Sequence, residues 1–172
     1  TFVQKKGNVT ALTLVNDTHQ AIDTCVEYGV KTLQGEIVGS KKVNLSVAEN
    51  GIEQVTVCGD IAMPNTYLYA ECVVNGEKIS NVYSYDMWHT CNFTSDYAYS
   101  VKETECGLAV TIKANAFVKA VTLRLPDNYK YSYSDNYFDM QAGEEKTVYI
   151  CGKGAKADEL EVTDFAKEIV YA

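Results

Sequence analysis

The chain is a succession of short segments in which apolar and polar residues alternate, and the 3.6-residue period of a helix is almost absent. Val43, Leu45 and Val47 alternate with Asn44, Ser46 and Ala48 up to Asn50-Gly51. Tyr67 to Val74 ends in a second Asn-Gly turn at Asn75-Gly76, and Lys78 to Tyr85 answers it. In Leu108, Val110, Ile112, Ala114 and Ala116 one face is apolar while Thr111, Lys113 and Asn115 face out. This pattern predicts strands over 9–15, 25–33, 43–47, 53–57, 67–74 and 78–85, then over 97–103, 108–117, 119–125, 129–133, 146–151 and 160–165. Turn residues recurring every ~8–15 positions indicate antiparallel β-sandwiches rather than strand–helix alternation. Asp86 to Asn92 fits neither period, so the reading is all-β with two tandem sandwiches, 1–88 and 89–172, joined near Trp88. At that size each sandwich buries only about 60–65% of its extended-chain surface and gains from packing against a neighbour.

Composition narrows the partners. A net charge of −8 and a pI near 4.7 argue against nucleic acid, whose binding needs a basic face. No apolar run approaches the ~18–20 residues of a membrane-spanning helix, so no membrane partner is expected. The first residue is Thr1 and not an initiator Met, so the chain reads as a processed or excised piece. Cys25, Cys58, Cys72, Cys91, Cys106 and Cys151 contain no Cys-x-x-Cys pair and no histidine at ligand spacing, so neither a zinc site nor any cofactor is expected. Most of them sit in apolar runs, where free Cys behaves as a small hydrophobe. They read as reduced thiols, which favours a cytoplasmic setting.

Residues with chemistry are scattered. His19 lies in a polar loop and His89 at the junction, with no nucleophile motif beside either. Glu144-Glu145 and Asp158-Glu159 are adjacent pairs, whereas glycoside chemistry needs carboxyls facing each other across about 5–10 Å. Asp135, Asn136 and Asp139 carry oxygen ligands without the spacing of a calcium loop. Gly152-Lys153-Gly154 precedes no clear helix. Asn8, Asn16, Asn44 and Asn92 head glycosylation sequons. No residue is assigned a catalytic role. Among thirteen tyrosines, Tyr129, Tyr131 and Tyr133 alternate onto one strand face and, with Trp88, form a candidate carbohydrate contact. Their alternative role is that of ordinary strand residues with wet hydroxyls.

The stretch Ser134–Ile150 is distinct. Asp135-Asn136 is turn-prone, Tyr137-Phe138 offers aromatic bulk, Gly143-Glu144 lies in a second turn, and Lys146 begins a strand with Val148 and Ile150 on one face. Asp135, Asn136, Phe138, Gly143 and Glu144 therefore read as a structural corner. Ser-Asp-Asn-Tyr-Phe-Asp followed by Gly-Glu-x-Lys-x-Val resembles the last domain of β-mannosidase-type enzymes of glycoside hydrolase family 2, with Ala142 where that family has Pro. Leu108 to Val121 looks like that domain's leading strands. Leu14 to Thr18, and Val73 to Glu77 with Ser80 to Tyr83, resemble the domain before it. The resemblance implies two immunoglobulin-like sandwiches closing a longer chain, with the catalytic glutamates on a preceding (β/α)₈ barrel. It implies a non-catalytic accessory role, whose partners are the catalytic and N-terminal domains of the parent enzyme, with a homo-oligomer contact as a further expectation. The alternative readings are a carbohydrate-binding module that uses the tyrosine face, and a surface adhesion or scaffold sandwich unrelated to glycosidases.

Overall fold

The computed structural model describes residues 2–5, 8–56, 64–83 and 91–169. It divides into two compact units, Thr1–Thr32 with Glu36–Cys91, and Leu33–Gly35 with Asn92–Ala172. Both are all-β sandwiches of antiparallel strands.

In the first unit, β1 (Phe2–Lys5), β2 (Asn8–Asn16) and β5 (Gly51–Thr56) form a three-stranded sheet. Opposite it, β3 (Ile22–Thr32), β4 (Ile37–Val47), β6 (Thr66–Val74) and β7 (Glu77–Tyr83) form a four-stranded sheet in the order β4-β3-β6-β7. Leu12, Val26, Tyr28, Leu68, Ala70 and Cys72 are the core, with Val43 and Leu45 packed against it. The β6–β7 hairpin closes through Asn75 (φ 53°) and Gly76 (φ 83°), two left-handed residues whose twist suits a two-residue turn. The strand expected at 43–47 extends back to Ile37. Ile37 and Val38 are half exposed or more on the sheet's edge, so main-chain pairing to β3 rather than alternation defines that half.

In the second unit, β8 (Tyr97–Thr104), β9 (Gly107–Ala114), β11 (Ser132–Tyr133) and β13 (Glu145–Cys151) make a sheet ordered β11-β13-β9-β8. Facing it, β12 (Phe138–Met140), β10 (Val118–Arg124) and β14 (Glu161–Thr163) make a second sheet. Leu108, Val110, Ile112, Ala114, Val148 and Ile150 are fully buried between the sheets, on the inward positions that the alternation predicts. Thr111 and Thr147 face out opposite each other, with hydroxyls 2.9 Å apart. The four-plus-three layering in each unit is that of immunoglobulin-type sandwiches.

Two expected strands are corrected. Over 129–133 the backbone makes a 3₁₀ turn at Asn128–Lys130 before the two-residue β11. Asp127 is left-handed (φ 56°), and Asn128 Oδ1 accepts the Leu125 N–H at 2.9 Å, so side-chain hydrogen bonds hold the backbone out of a ladder. Over 160–165 the strand stops at Thr163, and Asp164 caps a short helix α1 (Phe165–Ile169), its Oδ1 accepting the N–H groups of Ala166 and Lys167 at 2.7 and 3.1 Å. Phe165 meets Phe93 edge-on at 5.8 Å, and Phe93 in turn lies 6.0 Å from the buried Phe117. Among the described residues no helix is long and apolar enough to cross a membrane.

Candidate functional site

The corner at Ser134–Ile150 is the best-organised of the marked residue groups. Asn136 Oδ1 accepts the Leu123 N–H at 2.9 Å while its Nδ2 donates to the Leu123 carbonyl at 3.0 Å. One amide thus stands in for a strand partner of β10. Asp135 Oδ1 accepts the Asn136 N–H at 2.8 Å, and its other oxygen takes the Lys146 ammonium. Lys146 Nζ also sits 4.2 Å from the centroid of Phe138, which is buried and paired with Val121. Asp139 accepts the Ala120 N–H at 3.0 Å and pairs with Lys119 at 2.7 Å. That contact pins a bulge in β10, where the register shifts between Val118 and Val121 and Ala120 is left-handed (φ 52°). Asp135, Asn136 and Asp139 therefore each hold backbone or lysine, and they converge on no shared centre. Gly143 turns left-handed (φ 80°) between strands, and Glu144 Oε2 accepts the Gln141 N–H at 2.8 Å. Among the described residues no three His, Cys, Asp or Glu side chains gather as a metal site would require.

The tyrosine row does not assemble. Tyr129 is 84% exposed on the 3₁₀ turn, whereas Tyr131 and Tyr133 pack against the second core. The Tyr133 hydroxyl donates to Asn128 Oδ1 at 2.5 Å. Trp88, His89 and Cys58 lie outside the described residues. His19 is exposed in its loop, and Glu159 is paired with Lys156. Asn16 is 2% exposed. Its amide donates to the Gln20 and Ala48 carbonyls at 2.8 and 2.9 Å and accepts from Thr18, so this sequon is closed to modification in the folded chain.

A site that the sequence reading missed lies on the outer face of the first unit. β3–β6 pairing sets Glu27 directly opposite Glu71, a like-charge arrangement that destabilises a sheet unless compensated. Lys42 approaches Glu27 at 3.2 Å, and Lys31 and Lys78 approach Glu71 at 3.4 and 3.0 Å. The Tyr69 hydroxyl donates to Glu27 at 3.0 Å, and Lys31 Nζ lies 3.9 Å over the Tyr69 ring. Glu27, Lys42, Glu71 and Lys78 border a shallow groove of about 610 Å³ with Asp23, Thr24 and Cys25. The hydrogen bonds from Tyr69 and Lys42 hold the Glu27 carboxyl below its ordinary range. Burial works the other way at Glu71, but the hydrogen bond from Lys78 and the charge of Lys31 still hold it low. Burial and the bond to Glu27 push Tyr69 up to about 12. A general acid for glycoside cleavage needs a raised carboxyl, and neither glutamate has one. The only sequence hint was the charge at every fourth position, Asp23, Glu27 and Lys31, which a strand puts on one face; Glu71 and Tyr69 lie about 40 residues away and are joined to them only by the sheet.

This network makes a pH prediction. Both folded-state carboxyls lie below the ordinary 4.5, so their stabilisation is complete above that value and is lost as pH falls through the folded values. Melting curves of the chain should therefore fall below pH ~4.5 more steeply than those of a Glu27→Gln/Glu71→Gln variant. Parallel acid limbs for the two proteins would show that the network contributes nothing.

Comparison with known proteins places this geometry. Residues 94–167 match the Ig_mannosidase family, an Ig-fold domain. No curated protein sequence matches the chain. The β-D-mannosidase of Dictyoglomus thermophilum aligns with a TM-score of 0.76 at 17% identity, over 96% of this chain and 21% of the enzyme. The exo-chitosanase CsxA of Amycolatopsis orientalis aligns with a TM-score of 0.57 at 16% identity, over 90% of this chain and 25% of the enzyme. The chain thus spans between a fifth and a quarter of these enzymes' lengths. At such identities the structural likeness establishes the fold, and the segment match supplies the kinship. The resemblance read at Ser134–Val148 is the one found: residues 94–167 are an immunoglobulin-like domain of the mannosidase family.

Proposed function

We propose that the chain is a non-catalytic accessory region of a β-mannosidase-like family 2 glycoside hydrolase, two sandwiches that pack against and support a catalytic barrel supplied by the rest of the enzyme. The observation that carries this reading is the family match at 94–167 within a chain covering only 21% of a β-D-mannosidase. The physical motive is that small sandwiches leave edges and apolar surface that a neighbouring domain covers. Val15, Ile52, Val73 and Ile79 are each about half exposed or more on the first unit, where a neighbour would gain by burying them. The junction of the two sandwiches near residue 88 is part of the same proposal.

The 172-residue chain alone should hydrolyse no aryl β-mannoside. The parent enzyme truncated before these residues should lose soluble expression or thermal stability ahead of any change in the chemistry of surviving molecules. Turnover by the purified chain would overturn the accessory reading. Saturable quenching of its aromatic fluorescence by manno-oligosaccharides would replace it with a sugar-binding one.

A further inference from the structure

Cys106 and Cys151 are separated by 45 positions in sequence, yet their sulfurs lie 2.7 Å apart, about 0.7 Å beyond the length of a disulfide bond. Three features bring them together. Glu105-Cys106 is the two-residue turn between β8 and β9, and Cys151 ends β13 in register with Gly107. The Gly152 N–H donates to the Cys106 carbonyl at 2.8 Å, tying the turn to the end of β13. Gly107 (φ 148°) permits the approach, since a Cβ there would stand 2.2 Å from the Ile150 carbonyl oxygen. Cys106 is exposed and Cys151 half-buried, and both border a shallow groove of about 610 Å³ between 103–107 and 151–155. Solvent and small reagents therefore reach the pair. Cys72, by contrast, is 7% exposed in the first core.

We propose that Cys106 and Cys151 are a redox-active dithiol that closes to a disulfide between the β8–β9 turn and the end of β13. A low-molecular-weight disulfide of the glutathione type is a sufficient oxidant. Cys106 loses its proton, and its thiolate attacks one sulfur of that disulfide, breaking the small S–S bond and expelling one small thiolate, which takes up a proton. Cys151, deprotonated in turn, attacks the Cys106 sulfur of the mixed disulfide and expels the second small thiol. The protein pair gives up two electrons and two protons, and the small disulfide becomes two thiols. Cys106 is the attacking group because it is the more exposed. The hydrogen bond from Cys151 holds its thiol below the ordinary range, while the same contact and burial raise Cys151. Closure links the β8–β9 turn to the end of the neighbouring strand β13 in the same sheet, across a loop of 45 residues, so it constrains the unfolded chain and ties the stability of this unit to the redox state of its surroundings.

The test incubates the full chain with oxidised glutathione under native conditions, alkylates the remaining thiols, and maps the peptides. A Cys106–Cys151 cross-linked peptide is expected, with the chain lighter by two hydrogens and melting higher by about 10 °C or more than its reduced form. Cys106→Ser and Cys151→Ser should each abolish the redox-dependent shift, while Cys25→Ser should keep it. Glutathione that stays on Cys106 without ring closure, or a cross-linked form melting no higher than the reduced one, would overturn the proposal.

Discussion

Phe138→Ala should destabilise the second unit by about 3–5 kcal/mol, the usual loss for an aromatic ring removed from a packed core. The ring is 9% exposed, sits in the cluster built on Val110, Ile112, Val121 and Val148, and pairs in register with Val121. Two losses combine. The cavity cannot collapse easily, because β12 is held on both sides of the ring, by Asn136 on Leu123 and by Asp139 on Ala120. Lys146 also loses the aromatic face it covers and keeps only Asp135. For a unit of this size the melting transition should drop by roughly 15–30 °C. Phe138→Leu, which keeps most of the apolar volume, should cost about 1.5 kcal/mol or less. Calorimetry on the three proteins checks the order, and an unchanged transition in Phe138→Ala would mean that the ring anchors nothing.

The second large effect lies in the first unit. Asn16→Ala should cost about 2–4 kcal/mol, because a buried amide that donates to two or three carbonyls and accepts from Thr18 is replaced by nothing that can pair. The donors reach Gln20, Val47 and Ala48 at 2.8, 3.3 and 2.9 Å, so one side chain ties the end of β2 to the end of β4 across the sandwich. Val47 beside it is 1% exposed, and water cannot freely take the amide's place at its carbonyl. Asn16→Asp is the diagnostic variant. It keeps the acceptor that serves Thr18 but turns an anionic oxygen toward the Gln20 and Ala48 carbonyls, and should be at least as damaging as alanine. Hydrogen exchange should rise first at β2 and in the turn around Ala48 to Gly51. A stable Asn16→Asp protein would show that the amide donors carry no weight.

These two residues share a logic that explains what was legible in the sequence. Asn16 is the last residue of β2 and Asn136 lies in a corner, and each uses its amide as a piece of backbone, satisfying groups that no strand reaches. Their turn propensity is local and was visible; their partners are remote and were not. The same division runs through the candidate sites. Tyr129, Tyr131 and Tyr133 have the spacing of a strand face, but Asn128 and the left-handed Asp127 bend the backbone and scatter them between solvent and core. Phe138 reads as an isolated anchor between turns, whereas the bulge at Ala120 gives β10 a partner there and makes 138–140 a strand.

By itself the sequence determined the all-β class, the inward faces of β9 and β13, the Asn75-Gly76 hairpin and the kinship carried by Ser134–Val148. Each of these rests on neighbours in the chain, on a period of two or on the dihedral preferences of single residues. Only the tertiary structure decided that Glu27 faces Glu71 under three lysines, that Asp139 pins a bulge rather than a cation, and that Cys106 meets Cys151. Sheet pairing joins residues that stand roughly 20 to 45 positions apart, and no local pattern records which residue a strand will find across from it.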